Sequence, residues 1–169
     1  MIRWMNVLGA LVLALGVGLM LGLGASAQAA SDDTVLLTVQ IEGDDASTTT
    51  FTRDQLMALG QTSFETETIW TSGTQAFTVV SLKDLMAHLG VTSGVLQARA
   101  INDYMVEVPL SDAIEGGPII AYERNGKTMS VRSKGPLWIV YPYDSNPSYK
   151  TEAIYSRSIW QLEGINVQR

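Results

Sequence analysis

The chain has 169 residues, 46% hydrophobic and 17% charged, which excludes a disordered or collagen-like chain and fits one globular domain. Eleven Lys and Arg stand against 17 Asp and Glu, and the net charge of −6 argues against a nucleic-acid partner by repelling phosphate backbones. With no cysteine and a single histidine, His88, the chain lacks disulfides, thiolate nucleophiles, cysteine-ligated metals and His-rich metal sites.

The first residues carry Arg3 and the amino terminus, and an uncharged run of Leu, Val, Ala, Met and Gly follows from Val7 to Gly24. Ala25-Ser26-Ala27-Gln28-Ala29-Ala30 then offers small-x-small cleavage after Ala27 or Ala29. This order of regions reads as a signal peptide over residues 1–29. An uncleaved anchor is the rival, because the apolar run approaches the ~20 residues of a spanning helix. Gly16, Gly18, Gly22, Gly24 and the small-residue exit favour cleavage. Residues 31–169 remain as one domain, long enough to bury roughly two-thirds of its unfolded surface.

Within that domain the Ser/Thr/Asp cluster from Asp44 to Thr50 reads as a turn. Thr52 and Gln55 then form a capping box, Phe51 and Leu56 its hydrophobic staple, and Gly60 a helix stop. Ser81, with Val80 against Leu85 and Gly90 as the stop, repeats the device. Leu82, Leu85, Met86 and Leu89 make one apolar face, with His88 beside it as a surface or edge residue. Thr34 to Ile41, Thr66 to Trp70, Phe77 to Val80, Val95 to Ile101 and Tyr104 to Pro109 have the β-branched and aromatic content of strands. Ser111 to Glu115 reads as one helical turn. Ile119 to Tyr122 and Thr128 to Val131 flank Asn125-Gly126, a type I′ hairpin signal. Leu137 to Tyr141 reads as an internal strand and Trp160 to Val167 as the last one. The expected fold is α+β, a curled mixed sheet with a few short helices.

Three segments are richer in polar and aromatic groups than a core requires. They are Thr68-Ile69-Trp70-Thr71-Ser72-Gly73, the turn Ile101-Asn102-Asp103-Tyr104, and the stretch from Arg132 to Pro142 together with Tyr155 to Leu162. In order and spacing, "VVSLKDLMAHLGV", "INDY", "AYERNGKTM", "RSKGPLWIVYP" and "WQLEGINV" resemble the molybdopterin-binding domain of the sulfite oxidase family, from about Thr68 to Val167. The resemblance implies that family's fold. The oxidases hold molybdenum through the cofactor's dithiolene sulfurs and one cysteine thiolate, and here the corresponding strand leads into Thr71 and Ser72. A soft metal needs soft ligands, so no molybdenum is expected. Tyr155-x-Arg157-x-x-Trp160-Gln161-Leu162 resembles the ending of small, cysteine-free, exported members of this group. That resemblance implies a non-catalytic periplasmic pterin-binding protein acting with the periplasmic domain of a membrane sensor in cyclic-dinucleotide or kinase signalling.

A pterin is flat, with a polar 2-amino-4-oxo edge. Trp70, Tyr155 and Trp160 are the expected stacking planes. Asp103, beside Asn102, is the first choice of carboxylate for the amino edge, and Asp144 the second. Arg157 and Lys134 are expected at the carbonyl edge, with Arg132, Ser133 and the backbone of Gly135 lining the site. Each has a structural alternative: Asp103 stabilises its turn, Trp160 anchors the last strand, Arg124 and Lys127 form a solvated face. Trp138 reads as core, and Tyr141 and Tyr143 as cover for the turn at Pro142. Two other functions stand beside the leading one: a molybdopterin-dependent oxidoreductase-like enzyme, and a ligand-free structural or assembly factor.

Overall fold

A computed structural model describes residues 33–169; the leader expected over 1–29 lies outside them. The described residues form strands β1 (Val35–Ile41), β2 (Ser47–Thr52), β3 (Thr62–Glu67), β4 (Thr74–Ser81), β5 (Val95–Ala100), β6 (Met105–Pro109), β7 (Ile119–Arg124), β8 (Lys127–Thr128), β9 (Trp138–Val140) and β10 (Leu162–Gln168). Helices α1 (Arg53–Ala58), α2 (Leu82–His88) and α3 (Glu152–Arg157) join them, with short 3-10 turns at Leu110–Asp112, Val131–Ser133 and Pro147–Tyr149. The architecture is the expected α+β one, with its β structure divided between two sheets.

The first sheet runs β2-β1-β10-β5-β6 and is mixed, because β1 pairs parallel with β10 while the other pairs are antiparallel. Period-two alternation sends Leu37, Val39 and Ile41 of β1 and Leu96, Ala98 and Ala100 of β5 into the core. In β10 the register against β5 shifts between Leu162 and Gly164. That bulge is why Leu162, Ile165 and Val167, which simple alternation would divide between faces, are all buried. The second sheet is antiparallel, β3-β4-β7, and β7 carries two partners in series. Its first half, Ile119–Ala121, pairs with β9, and its end, Glu123–Arg124, pairs with β8. Ile119 to Tyr122 and all of β9 are buried, which accounts for their uninterrupted apolar sequence. One hydrophobic cluster takes residues from both sheets and from each helix, including Leu56, Leu82, Leu85, Met86 and Ile154.

Local chemistry explains the helices. At α1 the Thr52 side chain accepts the Gln55 N–H (3.3 Å), and the Gln55 carboxamide accepts the Thr52 N–H (2.8 Å), a reciprocal capping box. Gly60 follows at φ +126, a conformation that strains any residue with a Cβ. Ser81 caps α2 by accepting the Asp84 N–H at 2.9 Å. His88 is exposed and meets the Phe51 ring edge-on, an edge position as expected.

Four sequence expectations need correction. Ser47 to Thr50 is strand rather than turn, since the β-branched threonines pair with β1 at an edge where polar side chains stay wet. The strand expected over Thr66 to Trp70 begins earlier and stops at Glu67. There the Thr68 hydroxyl accepts the Trp70 N–H (3.2 Å) and turns the chain. The return arm of the Asn125-Gly126 hairpin is only Lys127–Thr128, and Val131 opens a 3-10 turn. Helix α3 was not anticipated, although Thr151 supplies its cap and Glu152 a favourable first-turn charge.

Thr52→Ala removes the hydroxyl that accepts the Gln55 N–H, leaves the backbone donor of the reciprocal bond, and is expected to cost about 1 kcal/mol of stability. Urea denaturation measures it, and Thr50→Ala, two residues earlier on β2, serves as the comparison.

Candidate functional site

Trp70 sits at the centre of an aromatic group assembled from separate parts of the chain. The turn after β3 presents it edge-on to Trp160 (centroids 5.5 Å apart), Trp138 (5.8 Å), Tyr155 (5.8 Å) and Tyr143 (6.3 Å). Such T-shaped contacts place the positive rim of one ring against the negative face of another. Tyr155 comes from α3. Trp160 comes from the segment entering β10, where it bridges to Trp138 of β9. Trp138 is wholly buried, and its indole N–H donates to the Ser158 carbonyl at 3.3 Å. It is core, as the sequence indicated.

A cleft of about 360 Å³ opens beside this group. Trp70, Tyr155 and Trp160 form its aromatic wall, the β5–β6 turn contributes Ala100, Asn102 and Tyr104, and Ser156, Ser158 and Ile159 complete it. Two backbone bonds between Ala100 and the residues Asp103 and Tyr104 fix the turn, and Asp103 adopts φ +62. Asn102 Oδ1 accepts the Tyr104 N–H at 3.4 Å. The turn thereby offers the cleft an amide and a phenol. The Asp103 carboxylate instead accepts from Arg99 (3.3 Å), with 86% of its side chain exposed. Asp103 is therefore absent from the lining, a correction to its expected place as the edge-binding carboxylate.

Asp144, the second choice, is also committed elsewhere. It accepts from Lys150 Nζ (2.6 Å), the Glu67 N–H (2.7 Å) and the Thr66 hydroxyl (3.0 Å), fastening the loop after β9 to the end of β3. Lys150 first, then these backbone and hydroxyl donors, hold its carboxyl down to about 2. Among the described residues, no carboxylate lines the cleft.

Arg157 is corrected as well. Its Nη1 donates to Asp112 Oδ2 at 2.9 Å, and the Tyr141 hydroxyl donates to the same oxygen at 2.6 Å. Burial first, and Asp112 second, push the Tyr141 phenol far above its ordinary range. The Tyr143 hydroxyl donates to Ser158 Oγ (2.6 Å), which in turn donates to the Ile154 carbonyl (2.9 Å). Burial raises the Tyr143 phenol to about 12. These two chains of bonds lock the end of α3 against the segment after β9. Arg157 thus positions the helix that carries Tyr155, rather than entering the cleft.

The loop from Arg132 to Gly135 divides. Lys134 adopts φ +75 and holds its ammonium 3.9 Å from the Trp160 centroid and 5.5 Å from that of Trp138, a cation on the rings of the cleft wall. Burial, then the charge of Arg124, lowers its pKa. Arg132 is exposed, and Ser133 lines a separate groove along the β7–β8 hairpin. Gly135 is buried, and a Cβ there would collide with the Met129 carbonyl, so its role is close packing rather than ligand contact. Of the ten expected site residues, Trp70, Asn102, Tyr155 and Trp160 meet in one cleft, and Lys134 backs it. Ala100, Tyr104, Ser156, Ser158 and Ile159 were missed as lining. The Thr151 cap was the available signal for the last three, since a helix ending near Arg157 brings them together.

The donor set can be tested against molybdenum. The sequence contains no thiolate, and among the described residues no group of three His, Asp or Glu side chains converges. In the turn after β3, Thr71 Oγ1 is engaged with Thr68 Oγ1 at 2.8 Å. These residues do not fit a thiolate-held metal. Rings, an amide and hydroxyls fit a flat polar heterocycle.

Asp112→Ala strands the Tyr141 hydroxyl and the Arg157 guanidinium and is expected to lower unfolding free energy by about 1–3 kcal/mol in guanidinium titration. Asp144, ordinarily titrating near 3.9, contributes stability present above that pH and lost as pH falls toward about 2. Asp144→Asn is therefore expected to flatten the acid-side loss of stability between about pH 4 and pH 2, read by circular dichroism.

Comparison with known families bears on this geometry. The model of the oxidoreductase molybdopterin-binding domain matches residues 27–145, more than half of the chain. It reaches further toward the amino terminus than the motifs of the sequence analysis, and it stops before α3. Trp70, the 102–104 turn and the 132–135 loop fall inside the match; Tyr155, Arg157 and Trp160 fall beyond it. No curated protein matches the chain. By the extent of the family match, the chain belongs to the oxidoreductase molybdopterin-binding domain family.

Proposed function

We propose that the cleft binds a pterin without catalysing its turnover, and that its occupancy is relayed to the periplasmic domain of a membrane sensor. The observation that carries this reading is the convergence of Trp70 with Tyr155 and Trp160, from two segments far apart in the chain, on one cleft of about 360 Å³. A flat ring gains about 1–3 kcal/mol per aromatic stack, by analogy with nucleobases. The edge would be read by neutral groups. A carboxamide such as Asn102 presents one acceptor and two donors, which match the N3–H and 4-oxo pair of a lactam. The missing thiolate separates this chain from a catalytic molybdenum site built in the manner of the sulfite oxidases. The leader-like first 29 residues support export to the periplasm, where a sensor's exported domain is accessible.

Family membership favours a second reading, a molybdopterin-dependent oxidoreductase that binds its metal through the cofactor alone. One experiment separates the two. Protein mixed with a reduced pterin and freed of excess is expected to retain about one pterin per chain, read by fluorescence after oxidation. Trp70→Ala and Trp160→Ala should each weaken retention by roughly 5–150-fold, the equivalent of one lost stack. Unchanged retention in both variants would overturn the site. Stoichiometric molybdenum in freshly isolated protein would replace the first reading with the second.

A further inference from the structure

The eleven residues from Arg124 to Lys134 contain Arg124, Lys127, Arg132 and Lys134 and no acidic residue, in a chain whose net charge is −6. They hold four of its 11 basic residues. Elsewhere Lys83, Arg99, Lys150 and Arg157 each have a carboxylate partner within 3.3 Å. Among the described residues, none of the four cations between 124 and 134 has one. The hairpin register places Arg124 directly opposite Lys127, a like-charge pair that opposes strand pairing. Glu123, the nearest carboxylate along the strand, belongs to the other face by alternation, opposite Thr128. The charge of Arg124 also reaches the Lys134 ammonium and disfavours its protonation. The fold thus retains an uncompensated concentration of positive charge where the type I′ turn, Asn125 at φ +53 and Gly126 at φ +69, needs none.

Arg124, Lys127 and Ser133 line a groove of about 370 Å³ along the hairpin, and none of its lining is shared with the aromatic cleft. Val131 stands exposed at 49% between Lys127 and Arg132, an apolar foothold inside the charged patch. We propose that this hairpin and the turn after it form a docking surface for an acidic segment of a protein partner. Charge complementarity selects the occupant: in a chain of net charge −6, this is where four cations stand together without an acidic residue among them, so an acidic segment is favoured here. Lys127 and Arg132 are exposed and Arg124 and Lys134 half-buried, and the four are spread along the hairpin and the turn after it, which suits successive carboxylates of a peptide better than a single small anion. Val131 adds a requirement for an apolar side chain among them. Encounter would be steered by charge and would weaken as salt screens it.

The test is titration of the purified protein with a fluorescein-labelled, Glu- and Asp-rich peptide containing one leucine, followed by anisotropy and by amide chemical shifts. Saturable binding is expected, with shifts concentrated between residues 124 and 134 and affinity falling as salt rises from about 0.05 to 0.5 M. The double variant Arg124→Gln/Lys127→Gln should lose about tenfold or more in affinity, and Lys83→Gln, an exposed lysine paired with Glu115, should not. Arg132→Gln, which lies outside the hairpin ladder, should weaken binding on its own, so that a fold defect in the double variant cannot mimic the result. Binding unaffected by these substitutions, or shifts confined to other surfaces, would overturn the proposal. So would binding to phosphatidylglycerol vesicles without binding to the peptide, or inorganic phosphate competing at equal concentration.

Discussion

The candidate site depends on Trp70 having rings to meet. It stands on a turn, not a strand, and no ladder of backbone bonds fixes it. Its orientation is set by four edge-on aromatic contacts and by the Thr68 hydroxyl at the base of the turn. Those contacts tie the turn after β3 to β9, α3 and the entry to β10, which lie far from it in sequence. The cleft is the space this cluster leaves at the surface. Its walls are therefore the outer faces of a group whose inner faces, Trp138 above all, are core.

Around the cluster the charged groups occupy themselves. Asp112 satisfies Arg157 and Tyr141, Asp144 satisfies Lys150, and Asp103 and Glu163 satisfy Arg99. These pairs pin loops and helix ends to the sheets, and none of their carboxylates reaches the cleft. A pocket kept free of carboxylates suits a ligand recognised through stacking and neutral hydrogen bonds. Lys134 is the exception in sign, held against the rings of Trp160 and Trp138 rather than against an acid. Placing a cation on an aromatic wall makes the wall electrostatically less welcoming to a positively charged ring than to a neutral or anionic one.

Much of this was legible in the sequence. The capping residues of α1 and α2, the Asn125-Gly126 hairpin and the alternating cores of β1 and β5 follow from local rules, and the structure has each of them. The three stacking residues were readable as aromatics beside small polar groups. What local rules could not supply was competition. Asp103 and Arg157 are plausible ligand groups in isolation, but whether each is available depends on Arg99 and Asp112, whose proximity only the tertiary fold decides. The threonines of β2 look like a turn because edge strands tolerate polar side chains on both faces. Gly135 resembled a loop residue built for a ligand, but the backbone of Met129 is what requires it.

One topological detail governs how the molecule can be made. β10, the last strand among the described residues, lies at the middle of the first sheet, parallel to β1 and antiparallel to β5. Without β10, β1 with β2 and β5 with β6 are separate hairpins, each exposing one unpaired inner edge. Joining them requires contacts between the two ends of the domain, the kind of long-range closure that slows folding. Seating β10 is thus what turns two separate hairpins into one sheet, and removing the strand would leave its halves unable to join.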